Sequence, residues 1–123
     1  MQKVLVYSFL FLLVLTGCSS VVPNNPTAKT ILKENAQADI LQIDHLIYIK
    51  ATDQEFLEKN NFIKGDKIGE IKKTTTSTLF FKDFCATKLP VGSEIFATND
   101  HDTYTIIVEI DGKQIVYTAL VEG

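Results

Sequence analysis

Asn99-Asp100-His101-Asp102 places three oxygen-bearing side chains and an imidazole within four residues, a donor set that a cation could use. Calcium takes oxygens and zinc accepts His with carboxylates, so Asp100, His101 and Asp102 are the candidate metal ligands. His45, the other histidine, follows Asp44 and would join them if its loop lay beside the 98–103 turn. The alternating carboxylates and terminal Glu of a calcium loop are absent, and polar residues between strands are what an exposed turn contains. The turn is therefore the stronger reading of both sites. Cys85 sits in Phe80-Phe81-Lys82-Asp83-Phe84-Cys85-Ala86, an apolar stretch with no neighbouring cationic activator. A thiol in such surroundings packs as a small hydrophobe. Phe80, Phe81 and Phe84 carry a different prospect: on a strand Phe80 and Phe81 would face opposite ways, leaving one outside the core as a ligand or partner contact. No G-x-S-x-G, H-E-x-x-H or phosphate-cradling glycine loop occurs, and no serine has a recognisable base nearby.

The most specific pattern lies at the start of the chain. One lysine (Lys3) precedes an apolar run from Val4, and small residues follow, ending in Leu15-Thr16-Gly17-Cys18. Charge, apolar core and small-residue end are the three parts of an export signal. The run is shorter than the roughly 20 apolar residues that a membrane-crossing helix needs. Leu15-Thr16-Gly17-Cys18 resembles the lipobox of bacterial lipoproteins. That resemblance implies a signal peptide over 1–17, a diacylglycerol on the Cys18 thiol and cleavage before it. It also implies a fatty-acylated protein, of the palmitate kind, held at the extracytoplasmic face of a bacterial membrane.

Removing residues 1–17 of the 123 leaves 106, enough for one domain. Lys3 goes with them, so eleven lysines face fifteen carboxylates, a net charge of −4. A mildly acidic domain has no electrostatic footprint for nucleic acid. There is no Arg and no Trp, which removes bidentate anion clamps and the strongest stacking platform. With Cys18 acylated, Cys85 has no intramolecular disulfide partner.

The elements that must position these residues are mostly strands. Ser19 to Ala36, rich in Ser, Asn, Thr and Pro, reads as a tether with at most a helical turn at Thr30 to Asn35, so the expected division is 1–17, 18–36 and a single β-rich domain over 37–123. Ile40 to Ile49 forms two runs meeting at Asp44-His45, a tight hairpin. Thr52-Asp53-Gln54-Glu55 has capping-box spacing and predicts a helix over 53–60. Lys64-Gly65-Asp66 predicts a turn into a strand at 67–73, with Thr74 to Thr78 able to continue it. Leu89-Pro90-Val91-Gly92 and Asn99 to Asp102 are turns around a strand at 93–97. Tyr104–Ile110 and Gln114–Val121 flank Asp111-Gly112, a strong two-residue hairpin signal. In the first of these strands Ile106, Val108 and Ile110 should be buried and Ile107 should face outwards with Glu109. The sum is a mainly β (α+β) domain, a small, partly closed antiparallel sheet or barrel of about six strands with one short helix.

Ala38-Asp39-Ile40, Ile68-Gly69-Glu70-Ile71, Ala86 to Gly92, Ile110-Asp111-Gly112-Lys113 and Tyr117 together resemble small lipoproteins of Bacillus-type bacteria. That resemblance implies one compact domain behind a tether and contributes no catalytic residue. The expected function is a lipid-anchored binding or interaction module of the envelope, without catalysis and without a cofactor beyond the covalent lipid. Its partners would be the membrane, through the anchor, and an envelope protein, peptide or cell-wall component. The alternatives are an assembly protein that pairs through its sheet edge and a small metal- or thiol-dependent enzyme.

Overall fold

The computed structural model describes residues 25–100 and 102–121. Helix α1 (Ala28–Glu34) leads into strands β1 (Ile40–Ile43) and β2 (Leu46–Lys50), then helix α2 (Gln54–Lys59). Strands β3 (Lys64–Glu70), β4 (Lys73–Thr74), β5 (Cys85–Ala86), β6 (Glu94–Thr98), β7 (Thr105–Ile110) and β8 (Lys113–Leu120) complete the described part. All eight strands belong to one sheet in the order β3-β6-β7-β8-β2-β1-β5-β4. The fold is mainly β, as the alternation predicts, and the described residues form eight strands in place of six and two short helices in place of one.

Two of the strands, β4 and β5, are only two residues long, and they explain how the sheet curls. β3 and β4 stand at opposite ends of the sheet, yet only Ile71 and Lys72 separate them in sequence. The Ile71 amide donates to the Ser93 carbonyl beside β6 (2.9 Å), and the Lys72 amide donates to the Phe84 carbonyl beside β5 (2.8 Å). These two peptides draw the sheet ends together into a half-barrel. β4 pairs with β5 in parallel, so the sheet is not purely antiparallel.

The two tight hairpins follow from turn chemistry. β1 and β2 pair up to Ile43↔Leu46 around Asp44 (φ +51°) and His45 (φ +67°). β7 and β8 pair up to Ile110↔Lys113 around Asp111 (φ +51°) and Gly112 (φ +78°). Positive φ at both central residues is the type I′ requirement, whose twist matches that of the strands. Asp and His tolerate it better than most side chains, and Gly tolerates it freely.

Alternation then sorts the side chains. Leu41, Ile43, Tyr48, Ile95, Ile106, Val108 and Tyr117 fill the concave interior with Ile71, Ala86 and Leu89. On the convex face Ala28, Ile31 and Leu32 of α1 share a second cluster with Ala38, Ile40, Ile47, Phe81 and Leu120. Residues 27 to 36 are thus part of the folded domain and not tether. Thr27 caps α1 by accepting from the Thr30 amide (3.2 Å), and the three apolar residues at i, i+3 and i+4 bury one stripe. A stripe of three in a polar stretch is too short to stand out from composition.

Other boundaries shift for local reasons. Asp53, one residue beyond the expected Thr52, caps α2 by accepting from the Glu55 and Phe56 amides. β3 begins at Lys64, where a turn was expected, and its pairing with β6 is irregular between Lys64 and Gly69. A Cβ on Gly65 would lie 2.9 Å from the Thr98 carbonyl oxygen, so this close strand contact requires glycine. Ile107 is buried (1 % exposed) like Ile106 and Val108, so both faces of β7 are covered and the expected outward Ile107 is corrected. Glu94 and Glu109 lie directly opposite on β6 and β7, and Lys67 and Lys64 of β3 pair with them at 2.9 Å each.

Candidate functional site

α1 crosses the convex face at one end and leaves a groove of about 1130 Å³ between itself and the strands. Ile31, Ile47, Ile49 and Leu120 provide its aliphatic walls, while Asn25, Thr27, Thr30, Asn35 and Gln42 supply amides and hydroxyls. Its titratable lining residues are Glu34 and His45. The Thr27 and Thr30 hydroxyls bond each other at 3.0 Å as part of the helix cap, so neither is set up as a nucleophile. A groove of this make-up can hold a ligand by apolar contact and amide hydrogen bonds. Glu34 and His45 come from α1 and from the β1–β2 turn, and Cys85 is not part of its wall.

The sequence candidates fall in separate places. The Asp44-His45 hairpin does lie beside the turn before β7: the Tyr48 hydroxyl, on β2, donates to the Thr103 carbonyl at 2.8 Å. Burial raises the Tyr48 hydroxyl pKa above its ordinary value, and the nearby Asp44 and Asp102 carboxylates raise it further. His101 lies outside the described residues. Among the described residues no three His, Cys, Asp or Glu side chains converge as a metal site. Asp102 accepts from the Tyr104 amide (2.9 Å) and the Thr105 hydroxyl (3.1 Å), and Asp100 accepts from the Asp102 amide (3.2 Å). These carboxylates organise the turn itself. His45 is exposed, and its amide donates to Asp83 (3.0 Å), which also accepts from the Gln42 side chain (3.0 Å). Burial opposes the charge on Asp83, yet the His45 and Gln42 bonds outweigh it and hold the carboxyl below its ordinary value.

The aromatic trio also separates. Phe80 is exposed, Phe81 packs into the convex cluster under α1, and Phe84 packs against the interior. All three precede β5 in a non-strand segment, so their directions come from turns and not from strand alternation. Phe84 adopts φ +71°, and its ring lies over Gly69, where a Cβ would meet it at 2.7 Å. Cys85 is free and buried, with 2 % exposed. Cys18 lies outside the described residues.

Sequence reasoning did not single out the groove. Its signal was present: Ile47, Ile49 and Leu120 are apolar on strands whose other face is already apolar, which demands a second covering element. No family model, curated protein or solved structure matches this chain.

Proposed function

We propose that the chain is a bacterial envelope lipoprotein, anchored by an acylated Cys18, whose domain binds an extended peptide segment of an envelope partner in the groove under α1. The location rests on Leu15-Thr16-Gly17-Cys18 behind its apolar run. The observation that carries binding over catalysis is the groove's lining: aliphatic walls, an amide and hydroxyl rim, and two titratable groups on different elements. Peptide backbone would answer the rim and apolar side chains the walls. Assembly by strand addition is less well supported. β3, an edge strand, is kinked by its irregular pairing with β6 and carries Lys64 and Lys67, two devices that discourage edge pairing.

Two measurements test this reading. Cells fed a labelled fatty acid should yield labelled protein from the wild type and none from Cys18→Ala. An unlabelled wild type would overturn the anchor. Cross-linking in intact cells should then trap a partner that Thr30→Trp, which fills the groove, no longer captures. Unchanged capture by Thr30→Trp would place the contact elsewhere.

A further inference from the structure

Charge is unevenly divided over this acidic domain. Residues 25–39 and 72–88 carry six lysines (Lys29, Lys33, Lys72, Lys73, Lys82 and Lys88) against Glu34, Asp39 and Asp83. The other described residues carry five lysines against eleven carboxylates. The two basic stretches meet around β5, at one end of the sheet. Phe81 packs in the same cluster as Ala28 and Ile31, the Thr87 hydroxyl donates to the Ala38 carbonyl (2.7 Å), and Lys88 donates to the Gln37 side chain (3.1 Å). Two of the three carboxylates are engaged internally, Asp39 by the Tyr117 hydroxyl (2.7 Å) and Asp83 by Gln42 and the His45 amide. At this end, at the turn before Phe81, Leu79 is 71 % and Phe80 74 % exposed, the most exposed large apolar side chains among the described residues.

We propose that the Leu79–Phe80 turn is a membrane-contact tip, which enters the headgroup layer of an anionic bilayer while Lys72, Lys73 and Lys82 face its phosphates. An apolar tip flanked by lysines matches the two halves of such a surface, apolar contact below and negative charge above. Reach supports the same partner. The described chain begins at Asn25 beside α1, and Phe81 packs against the cluster that holds Ala28 of that helix. Six residues lie between Cys18 and Asn25, and the seven Cα steps this makes span no further than about 25 Å. An acylated Cys18 therefore keeps this basic end within reach of the bilayer that holds it. In this respect the proposal rests on the lipid-anchor reading.

The chain has no Trp, so Phe80→Trp installs a single reporter. The full chain carrying it would be placed in phosphatidylcholine vesicles with and without phosphatidylglycerol, with acyl-brominated lipid as quencher. With phosphatidylglycerol the indole emission should shift to the blue and be quenched. Adding Lys72→Gln, Lys73→Gln and Lys82→Gln should weaken that docking on the order of a hundredfold, and high salt should weaken it too. Solvent-like, unquenched emission in every vesicle overturns the proposal. A blue shift that brominated lipid does not quench also overturns it, in favour of a protein contact. Fatty-acid label on the same preparation separates the two readings. Labelled but unquenched protein sinks the tip alone, whereas unlabelled but quenched protein sinks the anchor and keeps the tip.

Discussion

The meander of β6, β7 and β8 and the closing segment from Ile71 to Leu89 reach comparable burial by different means. In the meander, strands of five, six and eight residues pair with unbroken register, and Ile95, Ile107, Val108 and Tyr117 are at most 1 % exposed. The closing segment has two strands of two residues each, paired with each other in parallel. Individual side chains complete it. The Thr74 hydroxyl donates to the Leu89 carbonyl (2.7 Å), the Thr87 hydroxyl accepts from the Ile40 amide (3.0 Å), and Phe84 sits at positive φ with its ring on Gly69. A ladder shares its load over many equivalent bonds, whereas this closure depends on a few unlike contacts. Substitutions in the closing segment should therefore open the half-barrel at Ile71–Lys72 without melting the meander, a sub-global opening of the kind hydrogen exchange detects.

Phe84 gives the largest expected effect. Phe84→Ala removes a half-buried ring and keeps a side chain at positive φ, so urea denaturation should show a loss of about 3 kcal/mol. Phe84→Gly loses the same ring but relieves the backbone, and it should be the more stable of the two by about 1 kcal/mol. Alanine and glycine variants of equal stability would mean that φ +71° carries no strain. Amide exchange should quicken at Lys72 and Thr75, whose amides bond to Phe84 and Ala86, and stay slow in β7. Uniform quickening would show that the closing segment and the meander unfold as one unit.

Gly112→Val asks the matching question of the meander. A Cβ at Gly112 meets nothing within 4 Å, so crowding is not the issue and the whole effect comes from a β-branched residue at φ +78°. The expected loss is about 2 kcal/mol by thermal or urea melt, with the register of β7 and β8 kept. No loss would mean that the turn relaxes to another type.

The same contrast explains what could be read in the chain. Asp44-His45 and Asp111-Gly112 are local signals, since the residues that need positive φ are the residues that tolerate it, and both hairpins form where they point. The closure is not local. Lys73-Thr74 reads as the end of one strand continuing from 67 and nothing in Cys85-Ala86 marks a strand, because the two pair with each other only after the sheet has curled. α1 was hidden for a related reason: its stripe of Ala28, Ile31 and Leu32 has meaning only against Ile40, Ile47 and Leu120, which are distant in sequence. The groove went unread with it, since a groove between two elements needs both. The histidine-and-carboxylate cluster was legible as a turn, and Asp100 and Asp102 do cap one.

Tyr117 links the meander to the entry of β1, and its chemistry sets a pH limit. Burial first, and then the bond to Asp39, raise its hydroxyl pKa above the ordinary value of 10.0. Above pH 10 the unfolded chain releases this proton while the folded one retains it, so the unfolded state gains. The contribution is full below about pH 10 and falls as pH rises beyond it. Tyr117→Phe should cost about 1 kcal/mol at neutral pH and shallow the alkaline fall in stability. An alkaline fall unchanged from the wild type would assign it to other groups, Tyr48 first among them.

His45 should produce the smallest effect, and that makes it the sharpest check on whether the first hairpin is structure or site. Its side chain is exposed, its backbone holds φ +67°, and the bond to Asp83 comes from its amide and not its ring. His45→Gly keeps that amide and suits that φ, while glycine's greater freedom in the unfolded chain works the other way. The two terms nearly cancel, so stability should stay within about 0.5 kcal/mol of wild type in a thermal melt. The groove loses one edge of its wall, the imidazole, and keeps Ile47, Ile49 and Gln42. Partner capture should then survive His45→Gly. Loss of capture with stability unchanged would make the imidazole a binding group and turn the hairpin from a scaffold into part of the site.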